Sequence, residues 1–183
     1  DEARKVWNAV VDKRPSAIVY CTTAADVIQA VSIARAANCP VAIRSGGHNI
    51  AGLSMCDDGI VIDLSRMKAI EIDPVRRVAR AEAGLSLGEF DAATQAHGLA
   101  TTMGVNSDTG IAGLTLGGGF GKLGRKYGLT CDNLLAADIV TADGRLLHAS
   151  ASEHPDLFWG LRGGGGNFGI VTAFEYQLHR IGS

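Results

Sequence analysis

Four cysteines, four prolines, no long apolar run and almost no net charge mark this 183-residue sequence. Cys21, Cys39, Cys56 and Cys131 are scattered and none forms a C-x-x-C pair, so zinc-site and thioredoxin-like readings fail on spacing. Reduced, structural thiols are the favoured reading. No stretch has the run of apolar residues needed to cross a bilayer, so no membrane partner is expected. A formal net charge of −2 lacks the basic footprint of a nucleic-acid binder, and no nucleic acid is expected either. No signal peptide is visible, but the chain opens in DEARKVWNAVV, which reads as the middle of a helix, and the compartment stays open. A chain of this length buries roughly 70% of its unfolded surface, enough for a substantial core.

Glycine is what the sequence has in abundance, 24 residues of 183. They crowd into RSGGHNIAG, GIAGLTLGGGFGKLG and LRGGGGNFG, between apolar periodic segments. Such clusters suggest backbone brought close to something rather than general flexibility. Around them the elements are legible. TTAADVIQAVSIARAANCP has helical periodicity: Thr23 and Asp26 have the spacing of a cap, Val27, Val31 and Ala34 share a face with Ile28, and Pro40 stops it. VAIR reads as a strand delivering RSGGHN, followed by strands GIVIDL, AIEI and RVARAEA, with Asp73-Pro74 as a turn. Arg76, Arg77 and Arg80 take polar positions there. LSLGEFDAATQAHG is a second helix with Ser86 and Glu89 at capping-box spacing and Gly98 as its stop. LLAADIVTADGRLLHAS reads as a hairpin turning on Asp143-Gly144, DLFWGLR as a short helix and GIVTAFEYQLH as a final strand. Helices mixed with hairpins argue an α+β fold in two lobes, residues 1–84 and 85–183.

Two G-x-G-x-x-G matches occur, at Gly119-Gly121-Gly124 and Gly164-Gly166-Gly169. The second runs into a strand and the first into a segment too short for a crossover helix, so the dinucleotide fingerprint fails on context. A Walker loop fails too, because no glycine-lysine-serine or glycine-lysine-threonine run exists. What remains is that separated glycine loops form main-chain nests for an anion, or that they are surface turns. His48, directly after two glycines, either decorates such a turn or stands where a ligand's reactive part would be. The other histidines, His97, His148, His154 and His179, have no acid or cysteine at ligand spacing and receive no role. Phe158 and Trp159 read as core packing.

VAIRSGGHNIAG, GIVIDLSRM, GVNSDTGIAGLTLGGGFGKLGRKYGLTCDN and DLFWGLRGGGGNFGIVT, in this order, resemble FAD-linked oxidases of the vanillyl-alcohol oxidase fold. The branch is the one that contains berberine bridge enzyme and 6-hydroxy-D-nicotine oxidase. The resemblance implies a PCMH-type FAD-binding domain of two α+β subdomains, and FAD bound covalently through His48. Asn106 occupies the place of a second, cysteinyl attachment found in some members, so single attachment is implied; Cys131 lies outside that motif. The resemblance assigns Ser45, Gly46, Gly47 and Asn49 to the loop along the pyrophosphate and flavin, while Arg44 either braces that loop or contacts the cofactor. Gly104, Val105, Asp108, Thr109, Gly110, Gly113 and Leu114 resemble the second pyrophosphate loop, continued by Gly117, Gly118, Gly119 and Gly121. Tyr127 and Gly128 belong to a motif near the flavin, and Gly169, Ile170 and Val171 to the adenosine side. Family members carry a further substrate domain, absent from this chain, so the chain alone is expected to be inactive and no catalytic residue is assigned within it. The intact protein is expected to oxidise an alcohol, amine or sugar, with molecular oxygen as acceptor.

Overall fold

A computed structural model describes residues 1–181. The strands are β1 (Ala17–Tyr20), β2 (Val41–Arg44), β3 (Ile60–Asp63), β4 (Ile70–Asp73), β5 (Val78–Glu82), β6 (Leu99–Ala100), β7 (Leu134–Val140), β8 (Leu146–Ser150), β9 (Ile170–Gln177) and β10 (His179–Arg180). The α-helices are α1 (Ala24–Ala37), α2 (Leu87–Gln95), α3 (Ile111–Leu116), α4 (Gly124–Tyr127) and α5 (Pro155–Leu161). None is long and apolar enough to cross a membrane.

Two sheets organise these elements. The smaller is parallel, in the order β1-β3-β2, with the apolar run of β3 in the middle and Val61 and Ile62 fully buried. Strands buried on both faces read as such runs. The larger is antiparallel, in the order β4-β5-β9-β7-β8. Helix α1 packs against β3 of one sheet and β7 of the other, and one continuous core joins them. Its start is fixed by a reciprocal Thr23–Asp26 box, its inner face by Val27, Ala30, Val31 and Ala34, and its end by Asn38 in a left-handed conformation. Helix α2 repeats the device with Ser86 and Glu89. The short pair β6–β10 ties the end of β9 back to the stretch after α2.

The structure departs from the sequence reading at several points. DEARKVWNAVV is not helical beyond one 3-10 turn at Glu2–Arg4. The amide of Trp7 donates to the Gly47 carbonyl and the Ala3 carbonyl accepts from Arg44, so tertiary partners take the groups that a helix would pair internally. Strand β1, a β-branched run behind Pro15, went unread. The β4–β5 hairpin pairs with β9 in the larger sheet, so the two sheets divide between Asp63 and Ile70. The β7–β8 turn holds three residues rather than two, because Thr141 pairs with Arg145 and Gly144 takes φ +83°. On α5, Phe158 is buried but Trp159 is 78% exposed. Leu157, Phe158 and Leu161 form the inner stripe of α5, and Trp159, about 100° on from Phe158, falls outside it.

Candidate functional site

A groove of about 930 Å³ opens where three chain segments converge beyond β2. The first wall is the loop Ser45–Ser54, the second is Thr109 to Gly117 with α3, and the third is Gly165 to Val171 leading into β9. Each is anchored by the fold. Ser45 donates its hydroxyl proton to the Ala83 carbonyl at 2.6 Å, and the Gly165 amide donates to Leu116 at 2.8 Å. The first two walls meet backbone to backbone: a methyl added at Gly46 would lie 2.4 Å from the Gly110 nitrogen. Only glycine facing glycine permits that approach.

The chemistry of the walls is that of a site for a polyanion without cations. Among the described residues, no Asp, Glu, Lys or Arg lines the groove. Among the described residues, the amides of Gly46, Gly47, His48 and Asn49 donate to no carbonyl of the chain, and Gly47 takes φ +71°. Successive free amides on a turned backbone form a nest for anionic oxygens. Gly113 and Gly166, on the other two walls, have open space where a side chain would stand. The Ser54 hydroxyl, buried on the groove wall, has no partner. These features fit a dinucleotide: main-chain donors for its phosphates and a length of apolar wall, including Ile43, Ile50, Leu53 and Leu116, for its rings.

His48 stands on the ridge between this groove and a second cavity of about 780 Å³, and lines both. Its ring stacks on Trp7, centroids 5.6 Å apart, and its Nε2 lies 3.6 Å from a carboxylate oxygen of Asp108. Arg44 lines the second cavity, where it forms a buried ion pair with Asp63 and donates to the Ala3 carbonyl at 2.6 Å. These contacts hold the N-terminal segment against the end of β2.

The sequence-predicted residues therefore divide. Ser45, Gly46, Gly47, His48, Asn49, Thr109, Gly110, Gly113, Leu114, Gly117, Gly169, Ile170 and Val171 are brought together around the groove. Arg44 and Asp108 face the neighbouring cavity. Gly104, Val105, Gly118, Gly119, Gly121, Tyr127 and Gly128 line neither. Gly119 and Gly121 are pressed on Thr130 and on the Met103 carbonyl, and Gly128 on Asp132. Tyr127 stacks on His179 at 3.9 Å between centroids, and His179 Nε2 pairs with Asn133 at 2.7 Å. Burial, with Arg77 and Lys126 nearby, holds His179 below the usual histidine value. His148, given no partner in the sequence, meets Asp138 across β7–β8 at 2.8 Å. The reading missed Gly165, Gly166 and Asn167 on the third wall, although the LRGGGGNFG cluster signalled them, and it missed Trp7.

A family model described as FAD binding domain matches residues 15–150. An FAD-linked oxidoreductase of Bacillus subtilis, itself uncharacterized, is 41% identical over 182 residues, which cover 97% of this chain and 40% of that protein. The crystal structure of 6-hydroxy-D-nicotine oxidase from Arthrobacter nicotinovorans matches with a TM-score of 0.95 at 41% identity, covering 98% of this chain and 40% of that one. Glucooligosaccharide oxidase from Acremonium strictum, described with a 6-S-cysteinyl, 8α-N1-histidyl FAD, matches with a TM-score of 0.90 at 33% identity, over 97% of this chain and 38% of that one. The chain spans about two fifths of the length of the curated relatives it matches.

Proposed function

The chain belongs to the FAD binding domain family of FAD-linked oxidoreductases, and on that premise we propose that it holds the flavin of an oxidase, bonded through His48 alone. The observation that carries this reading is the run of free amides from Gly46 to Asn49 on the groove wall, with the His48 imidazole in its midst. Phosphate oxygens take those donors, and the glycines let them approach. The loop bearing the imidazole is thereby fixed beside the cofactor rather than left in solvent. Bound flavin supplies the redox chemistry, accepting a hydride from an alcohol, amine or sugar and passing electrons to molecular oxygen. The residues of this chain orient the ring and keep its cofactor from leaving.

Single attachment is favoured by the thiols. Asn106 stands where a second bond would need a cysteine. Cys131 is buried, its amide donating to the Gly118 carbonyl at 2.9 Å, and that burial pushes its thiol upward. Substrate class comes from the relatives, which include enzymes named for 6-hydroxynicotine and for oligosaccharides.

Denaturing mass spectrometry tests the reading. The expected result is a polypeptide carrying one FAD, and a His48→Ala protein that binds flavin but releases all of it on denaturation. Flavin that washes off the unaltered protein would favour a carrier without the covalent bond, and no flavin uptake would favour a nucleotide-binding interaction protein.

A further inference from the structure

Trp7 leaves 57% of its surface to solvent, yet it is held in place by three separate ties. Its amide donates to the Gly47 carbonyl at 3.1 Å. The segment before it is gripped by Arg44 through the Ala3 carbonyl, and Arg44 is itself locked by buried Asp63. Arg4, three residues earlier, pairs with Asp12 on the far side of the same turn. The result of this scaffolding is an indole lying over the His48 ring, with the two planes 23° apart. On the same imidazole, Nε2 faces Asp108 at 3.6 Å. That is longer than a hydrogen bond, but the Asp108 side chain is 71% exposed and free to close the gap by a small rotation. The core needs neither contact: both groups stand at the rim of a cavity.

We propose that Trp7 and Asp108 are positioning residues for flavin attachment. They hold His48 in one ring orientation and one tautomer, with the proton on Nε2 toward Asp108 and Nδ1 left with its lone pair for the bond to carbon. The partner of one ring nitrogen sets the state of the other. The inference rests on the reading of His48 as the attachment residue. Attachment forms an Nδ1–C bond to the flavin's 8α-methyl carbon and breaks one C–H bond there. Two protons leave, one from that carbon and one from Nε2 by way of the Asp108 carboxylate. The electron pair of the broken bond passes through the flavin to molecular oxygen, which takes up both protons and leaves as hydrogen peroxide. Asp108 thus accepts the proton that alkylation at Nδ1 makes acidic, and Trp7 keeps the ring from turning away.

The test uses full-chain apoprotein from a riboflavin-deprived host, mixed with FAD in air. Early quenching of flavin fluorescence reports non-covalent binding, and a fluorescent band after denaturation reports attachment. Trp7→Ala and Asp108→Asn are expected to slow attachment by about tenfold each, the scale of a lost stacking or charge-assisted contact. Because neither side chain lines the groove (both face the neighbouring cavity), non-covalent binding should stay within about twofold of the original. Trp7→Phe and Asp108→Glu should recover most of the rate. Equal attachment rates in every variant, or losses in binding that match the losses in attachment, would overturn the proposal. An unaltered chain that binds flavin and never bonds to it would overturn both this and the His48 reading.

Discussion

Arg44 and Asp63 together decide whether the N-terminal segment stays over the site. Asp63 is fully buried, and it receives the Ser65 amide at 2.8 Å besides the guanidinium. Replacing Arg44 by Met leaves a carboxylate without its counter-charge in the interior, a loss of about 3–5 kcal/mol. The double change Arg44→Met with Asp63→Leu should recover a large part of that, because it removes the stranded charge as well. Urea unfolding of the three proteins measures it, and a single variant as stable as the original would show the pair to be dispensable. The same residue scale explains why glycine is an ambiguous signal. Gly46 and Gly110 are glycine because each backbone touches the other, and Gly119 and Gly121 because protein presses on them. Gly113 and Gly166 instead face open space. In a sequence, a glycine crowded by its own fold and one left bare for a ligand look identical.

Helix α1 shows what an element owes to its ends. The Thr22 amide and hydroxyl, with the Thr23 amide, hold the Asp26 carboxyl below its usual value of 3.8. A depressed folded value means that the cap contributes stability above the unfolded value and loses it as pH falls through the folded one. Asp26→Asn should therefore lower the melting temperature at neutral pH, and the gap from the original should narrow as the pH drops below about 3.8. A gap that persists unchanged to strongly acidic pH would assign the effect to something other than the charged cap. Both α1 and α2 were legible because cap spacing and apolar periodicity agree. α3 was not, since Gly113 inside its six residues and Gly110 and Gly117 at its two ends give the stretch the look of a loop. The three glycine clusters that build the groove stood out in the sequence, but Trp7 did not. Its contact with His48 spans 41 positions and depends on the Arg44 clamp, which no local pattern encodes.

At the scale of the whole molecule, two sheets share one core and three loops converge on a groove that, among the described residues, no Asp, Glu, Lys or Arg lines. Attraction between phosphate and neutral amide dipoles is weakly screened, whereas pairing with exposed Lys or Arg fades over a Debye length of about 10 Å at 0.1 M salt. With His48→Ala to keep binding reversible, FAD affinity should change by less than about twofold between roughly 0.05 and 0.5 M salt. A steep fall, read by titration calorimetry, would mean that cations outside the groove hold the phosphates. The larger sheet has a further consequence, for biosynthesis. Its middle strand, β9, comes after the other four in chain order, so two finished hairpins emerge from the ribosome with their inner edges bare. Until residues 170–177 arrive to zip them together, the nascent protein exposes paired templates for aggregation, and a chaperone that shields strand edges has its window then.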